Sequence, residues 1–254
     1  LVATQTFTGT LARDPGQDVD TYAISQGSLT AGDNYTISFT GADFTITPKT
    51  LDISALADQS KPYGTADPVL AFQADGFEYD DDTSVITGAL DRDPGESVGS
   101  YPITQGTLDA GDNYTISFTS ENFSITGIQL TVTGAVAQNR AYDGTDVVTL
   151  TGATLSGVIG DDDVTLTNAT SGTTDSQVFG NELPVTTSMA LSGAAAANYS
   201  LVQPSLTVDL TQRTLTLSNF TADNKVYDGN DSVTGDGFDD DRVGSDELSF
   251  TYQV

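Results

Sequence analysis

The stretch "AGDNYTISFT" stands at residues 31–40 and occurs again, unchanged, at residues 110–119. Extending the match aligns residues 9–47 with residues 88–126 without a gap, and 25 of those 39 positions are identical. An internal repeat of this kind indicates a chain built from tandem copies of one structural unit. The shift of 79 residues between the copies therefore sets the approximate size of that unit.

A second pair of segments shows the same unit in another form. "QNRAYDGTDVVTL" begins at Gln138, and "DNKVYDGNDSVTG" begins at Asp223. Both forms contain a leucine twelve residues before a tyrosine, in the pairs Leu51/Tyr63, Leu130/Tyr142 and Leu215/Tyr227. We therefore predict four segments: the latter part of a unit over 1–47, complete units over 48–126 and 127–212, and the opening part of a unit over 213–254. We expect these residues to be a window on a longer array.

The apolar pattern predicts β-structure throughout. In the second decapeptide, Tyr114, Ile116 and Phe118 alternate with hydroxyl side chains, which is the period of a half-buried strand. We expect these three residues to face inward, together with their repeat mates Tyr35, Ile37 and Phe39. Gly, Asp, Asn and Pro interrupt the strand patterns about every 8–12 residues, a spacing typical of small antiparallel sandwiches.

The composition excludes several classes of function. Lys and Arg number 8 against 36 Asp and Glu, for a net charge of −28, so the chain lacks the basic clusters that bind phosphate backbones or anionic membranes. There is no Cys and no His, which removes thiolate sites, imidazole ligands and Ser-His-Asp catalysis. No apolar run approaches the roughly 18 residues of a membrane span. We expect no enzyme activity, no nucleic-acid partner and no membrane insertion in this segment.

The motifs resemble two known families. "KPYGTADPVL" at 61–70 and "SVITGALDRDPGESVGSYPITQGTLDAGDNYTISFT" at 84–119 resemble the MBG domain, a mostly bacterial Ig-like module. "RAYDGTDVVTLTGATLSGVIGDDDVTLT" at 140–167 and "LSGAAAANYSL" at 191–201 resemble the YDG domain. The resemblance covers nearly the whole chain. It implies an all-β fold of tandem small antiparallel Ig-like β-sandwiches in an elongated array, and it supplies no catalytic residue.

Three acidic turns are the candidate metal ligands. They are "YDDDT" at 79–83, "GDDDV" at 160–164 and "DDDRVGSDE" at 239–247. Clustered carboxylates on a turn can bind Ca²⁺, but none of the three has the twelve-residue EF-hand spacing. Asp also caps turns through its own side chain and keeps loops solvated. We favour the solvated turn, assign no cofactor and no metal ligand, and keep Ca²⁺ as the alternative.

Other polar residues have both a functional and a structural interpretation. Three tyrosines recur at the same place in the repeat, namely Tyr63, Tyr142 and Tyr227. Such a row of aromatic rings could stack on sugars, but a tyrosine with its ring in the core and its hydroxyl at the edge is commoner. Three lysines could form isopeptide cross-links, namely Lys49, Lys61 and Lys225. At Lys61 and Lys225 we expect surface charge instead. Paired carboxylates such as Asp91 and Asp93 could flank a glycosidase cleft, but Asp14 and Asp93 recur in "RDPG", a sequence with Pro and Gly that predicts turns.

Six asparagines stand in sequons that mark glycan sites in secreted eukaryotic chains; three of them precede Tyr at the entry to a strand, where Asn suits a turn, and we interpret the sequons as a coincidence of composition. They are Asn34, Asn113, Asn168, Asn198, Asn219 and Asn230.

The resemblance implies a structural function. We expect a stalk or fibre segment of a large secreted or cell-surface bacterial protein, an adhesin or an extracellular filament. The alternative is a Ca²⁺-assisted carbohydrate-binding module. The expected partners are neighbouring repeats or adjacent identical chains, because strands with free edges at the two incomplete units are suited to strand complementation.

Overall fold

The computed structural model describes residues 6–235, 237–244 and 246–248. The chain divides into two compact units, Leu1–Thr126 and Gly127–Val254. The predicted segments 1–47 and 213–254, and the third acidic turn, each include positions outside the described residues. The described part is all-β, as predicted, with two short 3-10 turns and no α-helix.

Ten strands are described in the first unit. They are β1 (Ala12–Arg13), β2 (Asp20–Ser25), β3 (Ala42–Ile46), β4 (Lys49–Ala55), β5 (Ser60–Pro62), β6 (Phe72–Asp75), β7 (Asp91–Arg92), β8 (Gly99–Thr104), β9 (Tyr114–Thr119) and β10 (Asn122–Thr126). A 3-10 turn, Thr83–Val85, lies between β6 and β7.

The complete module of this unit has two sheets, in the orders β5-β10-β8-β7 and β6-β4-β9. Each sheet contains one parallel pair, since β4 runs parallel to β9 and β5 runs parallel to β10. The remaining pairs of both sheets are antiparallel, so the sheets of this module are mixed. Parallel pairs arise because the opening segment, which contains β4 and β5, crosses from one sheet to the other. It runs in the same direction as the closing segment, which contains β9 and β10.

Side chains from both sheets form one core. Leu51 and Ile53 of β4, Ile103 of β8 and Phe123 of β10 are fully excluded from solvent. The side chains of Tyr114, Ile116 and Phe118 pack against this cluster, which confirms the predicted inward face of β9. Alternation along β4 and β9 thus places one row of each strand in the core and the other row in solvent.

Thirteen described strands build the second unit. They are β11 (Ile128–Thr133), β12 (Val136–Ala137), β13 (Arg140–Ala141), β14 (Val147–Thr151), β15 (Thr154–Ser156), β16 (Thr165–Thr167), β17 (Ser171–Thr174), β18 (Gly180–Thr187), β19 (Ala190–Ser192), β20 (Tyr199–Val202), β21 (Leu206–Thr211), β22 (Leu217–Thr221) and β23 (Gly237–Asp240).

The same two parallel pairings recur here. The sheet β15-β11-β20 pairs β11 parallel to β20, and the six-stranded sheet β12-β14-β17-β18-β21-β13 pairs β13 parallel to β21. A two-stranded sheet, β16-β19, completes the module. The core cluster contains Val148, Leu150, Val208 and Leu210. The hairpin-like pair β22-β23 repeats the register of β11-β15 with a shift of 85 residues.

Residues 6–47, which we call the closing half, repeat only part of the complete module. Their sheet β1-β2-β3 has the register of β7-β8-β10 shifted by 79 residues, as Ala12↔Ser25 and Asp91↔Thr104 show. Yet the first copy of the decapeptide forms no strand, and Tyr35 is 66% exposed. The expectation that Tyr35 faces inward is therefore wrong. In the second copy, β4 pairs with the decapeptide.

This difference predicts unequal effects at matched positions. Phe123 is 0% exposed, whereas its repeat mate Phe44 is 45% exposed. Phe123→Ala should lower the free energy of unfolding of its module by about 3–5 kcal/mol, because the mutation leaves a cavity in a closed core. Phe44→Ala, the matched control, should cost about 1 kcal/mol or less. Urea titration followed through the NMR resonances of β8, β10, β2 and β3 measures both, and equal costs would contradict the assignment of an open and a closed copy.

Candidate functional site

The first two acidic turns hold a tyrosine at the start of a strand. The Tyr114 hydroxyl, at the start of β9, accepts the N–H of Glu78 at 3.0 Å and donates to Asp81 at 2.7 Å. The Tyr199 hydroxyl, at the start of β20, accepts the N–H of Ile159 at 3.1 Å and donates to Asp162. The accepted N–H lies three residues before the carboxylate in both modules. Each acidic turn is therefore hydrogen-bonded to the strand that pairs with the first strand of its module, β9 in the first unit and β20 in the second.

Other carboxylates of the acidic turns are also engaged within the chain. Asp82 caps the 3-10 turn by accepting the N–H of Ser84 at 2.8 Å. Asp163 accepts the N–H of Ala194 at 3.1 Å. In the third turn, the hydrogen bonds from Arg242 lower the pKa of Asp240 to about 2. Within residues 6–235, 237–244 and 246–248, no group of three or more carboxylates is placed to hold a metal ion.

A buried pair of cations lies in the complete MBG-like module. Lys61 of β5 and Arg92 of β7 are both buried. The Asp67 carboxylate accepts from Nε of Arg92 at 2.7 Å and from Nη2 at 3.1 Å, and it pairs with Lys61 as well. Glu96 bonds to both cations. The expectation of surface charge at Lys61 is therefore wrong, because β5 and β7 lie in one sheet whose outer strands carry the two cations toward the same carboxylates.

Aromatic rings complete the surroundings of Arg92. Its guanidinium lies 5.1 Å from the ring centre of Tyr101 and 5.4 Å from that of Phe123, within the range of a cation–π contact. The hydrogen bonds from Arg92, and then those from Lys61, lower the pKa of Asp67 to about 2. These contacts join the opening segment of the module, which carries Lys61 and Asp67, to its closing segment.

Module joints provide the other polar clusters. In the first unit, Oδ1 of Asn113 accepts the N–H of Val19 at 2.8 Å, and Nδ2 of Asn113 donates to Asp18 at 2.9 Å. A cleft of about 360 Å³ at this joint is also lined by Tyr79 and Asp81 of the first acidic turn. An acidic turn of one module thus faces the end of the module before it.

The second unit has a similar joint. The Tyr142 hydroxyl donates to Asp246 at 3.0 Å, and this bond raises the pKa of Tyr142. The adjoining cleft of about 470 Å³ is lined in part by Arg213 and Val243. Asp246 belongs to the third acidic turn, so the carboxylates of this turn again lie where one module meets the next.

The remaining candidate residues have structural contacts. Tyr63 packs against the core as expected, whereas Tyr227 is 94% exposed, so the core interpretation is wrong for Tyr227. Lys49 pairs with Glu78, and Lys225 pairs with Asp228. The "RDPG" aspartates lie in equivalent turns, where the backbone N–H groups of Asp14 and Asp93 bond to the carbonyls of Ala23 and Pro102.

Most of the sequon asparagines are also engaged. Asn198 is buried at the start of β20, and Asn113 makes the joint contacts described above. The amide of Asn168 donates to the Ser188 carbonyl, that of Asn219 donates to Asp239, and the Asn230 side chain accepts the N–H of Ser232.

The ion pairs of Asp67 with Lys61 and Arg92 predict how the stability of the module depends on pH. A carboxylate with a folded pKa near 2 and an ordinary value of 3.8 contributes stability above that ordinary value, and the contribution is lost as the pH falls toward the folded pKa. Asp67→Asn should destabilise the module by about 1–2 kcal/mol at neutral pH, because two buried cations lose a charged partner. The cost stays in this range because the Asp67 side chain is 40% exposed, so water screens part of the interaction. It should also flatten the loss of stability between pH 4 and pH 2.

Thermal unfolding between pH 2 and pH 7 measures this effect, with Asp75→Asn in β6 as the matched control. Identical pH profiles for Asp67→Asn and the unmutated chain would refute the role of the carboxylate.

Comparison with protein-family models identifies the modules. The model of the MBG domain (YGX type) matches residues 1–45 and 51–124, and the model of the YDG domain matches residues 126–207. No curated protein and no solved structure is similar enough to give a match. The described residues include no helix of the length and apolarity needed to cross a membrane. This chain is a tandem of MBG and YDG modules.

Proposed function

We propose that this chain is a structural repeat segment, a stalk or fibre, of a large secreted or cell-surface bacterial protein such as an adhesin or an extracellular filament. The observation that carries the proposal is the use of the polar groups. Many of the carboxylates and asparagines that could form a binding site are engaged in turns, cation pairs and module joints, as Asp81, Asn113 and Asp246 are. A segment built in this way supplies length and cohesion rather than chemistry.

Short links support a structural role. Within the first unit, only residues 47 and 48 separate β3 from β4, and the Asn113 contacts span the joint that this link forms. Within the second unit, residues 212–216 separate β21 from β22, and the bond between Tyr142 and Asp246 spans that joint. Links of this length restrict the motion of one module against the next.

The charge also favours a structural segment. With a net charge of −28, many closely spaced copies repel one another and stay soluble. Repetition itself favours the same function, because a recognition site is needed once, whereas length is gained by each added copy.

The proposal predicts the result of a module exchange in the parent protein. Replacing these residues by an equal number of unrelated β-modules should preserve the activity of the remainder of the protein, because the segment contributes spacing. Deleting the segment without replacement should reduce that activity. Surface display and an adhesion assay measure both variants.

Loss of activity in the exchanged variant would contradict the proposal and favour the carbohydrate-binding alternative. A glycan array with and without EDTA then separates the two functions on the chain itself. A structural segment binds no glycan, and EDTA leaves its melting temperature unchanged. Calcium at a hundred times its dissociation constant would instead add about 2.7 kcal/mol of stability.

A further inference from the structure

One Asp-Gly pair of the chain differs from the others in the contact that its carboxylate makes. In the pair Asp75-Gly76, the carboxylate oxygen Oδ1 of Asp75 accepts the N–H of Gly76 at 2.9 Å. The backbone nitrogen of the glycine therefore points at the side-chain carboxyl of the residue before it. The chain has three more such pairs, of which the last begins at a residue outside the described ones: Asp143-Gly144, Asp228-Gly229 and Asp236-Gly237.

The position of this pair in the fold explains the contact. Asp75 is the last residue of β6, an edge strand of the sheet β6-β4-β9, and its side chain is exposed. Gly76 then turns the chain away from the sheet with a φ of +104°, in the region that favours glycine. A Cβ at residue 76 would lie 3.2 Å from the carbonyl oxygen of Thr50. The turn therefore requires glycine, and the absence of a side chain leaves the path from the nitrogen to the carboxyl open.

This arrangement is the starting geometry for the rearrangement of aspartate to isoaspartate. The Gly76 nitrogen gives its proton to water and attacks Cγ of the Asp75 carboxyl, whose hydroxyl leaves as water. The product is a five-membered cyclic imide. One water then adds to the ring: addition at Cγ restores aspartate, and addition at the main-chain carbonyl carbon leaves the chain running through Cγ, which is isoaspartate. One water is released and one is consumed, so the reaction needs no other reactant.

We propose that Asp75 is a site of spontaneous isoaspartate formation in the folded module, where it reacts faster than the other described Asp-Gly pairs. Cγ is bonded to the oxygen that the Gly76 N–H already contacts, so the fold holds the attacking and attacked atoms close together. Reacting groups held in this way gain rate because their approach and orientation are set in advance. The inference concerns the chemical ageing of the module and stands independently of the stalk function.

The other two described pairs direct their carboxylates elsewhere. Oδ1 of Asp143 accepts the N–H of Thr145 at 2.9 Å and also pairs with Arg140. Oδ1 of Asp228 accepts the N–H of Asn230 at 3.2 Å. In both pairs the carboxylate thus contacts the residue after the glycine. These backbone hydrogen bonds lower the pKa of both carboxyls, so the neutral acid, whose hydroxyl can leave as water, is rarer there.

Two aspartates make the same contact without a following glycine. The N–H of Thr21 donates to Oδ1 of Asp20 at 2.7 Å, and the N–H of Arg92 donates to Oδ1 of Asp91 at 2.8 Å. Here the attacking residue carries a side chain and belongs to a strand, β2 or β7, whose pairing resists the rotation that ring closure requires. Among the described residues, Asp75 alone combines the contact with a following glycine.

The neighbouring strand also favours ring closure. Asp75 lies directly opposite Asp52 of β4. Like charges at directly opposed positions of two strands repel each other. The cyclic imide has no carboxylate at residue 75, so its formation removes this repulsion.

Isoaspartate at residue 75 alters the acidic turn that follows. It adds one carbon atom to the main chain between Asp75 and Gly76. Just beyond, the ring of Phe77 packs edge-on against Tyr114 with 6.2 Å between ring centres, and the N–H of Glu78 donates to the Tyr114 hydroxyl at 3.0 Å. Because a longer main chain shifts Phe77 and Glu78 away from these positions, we expect the turn to detach from the start of β9.

Peptide mapping of the aged chain tests the proposal. The full chain is incubated at physiological temperature and mildly acidic pH, and isoaspartate is quantified at each aspartate by fragmentation mass spectrometry that separates the two isomers. The imide is detected by the loss of the mass of one water. Isoaspartate should form at Asp75 about 10-fold faster than at Asp143 and Asp228, and it should be absent at Asp20 and Asp91.

The same chain unfolded in urea is the matched control. Unfolding keeps the glycine of every pair and removes the folded contacts, so the rates at Asp75, Asp143 and Asp228 should become similar. The ratio of the Asp75 rate to the Asp143 rate should therefore be about 10-fold higher in the folded chain than in urea. An unchanged ratio would overturn the proposal, because local sequence alone would then determine the rate.

The Asp75→Glu variant tests the effect on the acidic turn. Glutamate keeps the charge, but its ring would have six members and closes far more slowly. After ageing, solvent exchange of the Glu78 amide should rise about 5-fold in the isoaspartate form of the unmutated chain, the factor for one lost hydrogen bond, and should stay unchanged in the variant. Equal rises in both chains would contradict the role of residue 75. Because the comparison in urea uses the unmutated chain, misfolding of the variant cannot affect that result.

Discussion

Each complete module depends on the parallel pairing of its first strand with the strand that begins at an Asn-Tyr pair. In the first unit this pairing joins β4 to β9, and in the second it joins β11 to β20. The two partners are more than 60 residues apart in sequence, so the pairing closes the whole module rather than a local hairpin. In the module that this pairing closes, Phe123 is 0% exposed, whereas its repeat mate Phe44 is 45% exposed.

The polar contacts of each module reinforce this closure. A turn carboxylate accepts the hydroxyl proton of the tyrosine at the start of the paired strand, Asp81 for Tyr114 and Asp162 for Tyr199. The second parallel pair, β5 with β10, brings Lys61 into the module, and Asp67 then links Lys61 to Arg92. Buried ion pairs contribute more to specificity of arrangement than to net stability in some proteins. Here Asp67 and Glu96 each pair with Lys61 and with Arg92, so the ion pairs join the opening segment of the module to its closing segment.

The sequence predicted the features that depend on short-range pattern. The repeat spacing predicted the size of the unit, the resemblance of the motifs predicted the MBG and YDG modules, and alternation predicted the inward row of β9. It did not predict the parallel pairs, because residue order alone does not state which sheet the opening segment joins. The burial of Lys61 was missed for a similar reason, since its partner Glu96 is 35 residues away. Tyr35 was misplaced because an identical decapeptide takes its conformation from its strand partner and not from its own residues.

Amide hydrogen exchange over the two copies of "AGDNYTISFT" tests the central claim most directly. The intrinsic exchange rates of the two decapeptides are the same wherever their residues and neighbours are the same, so a difference in measured rate reports pairing alone. The account predicts slow exchange for the amides of residues 114–119 that bond to β4, and near-intrinsic exchange for residues 35–40 of the same chain. Equal protection in the two copies would contradict the claim that strand pairing, rather than local sequence, closes the module.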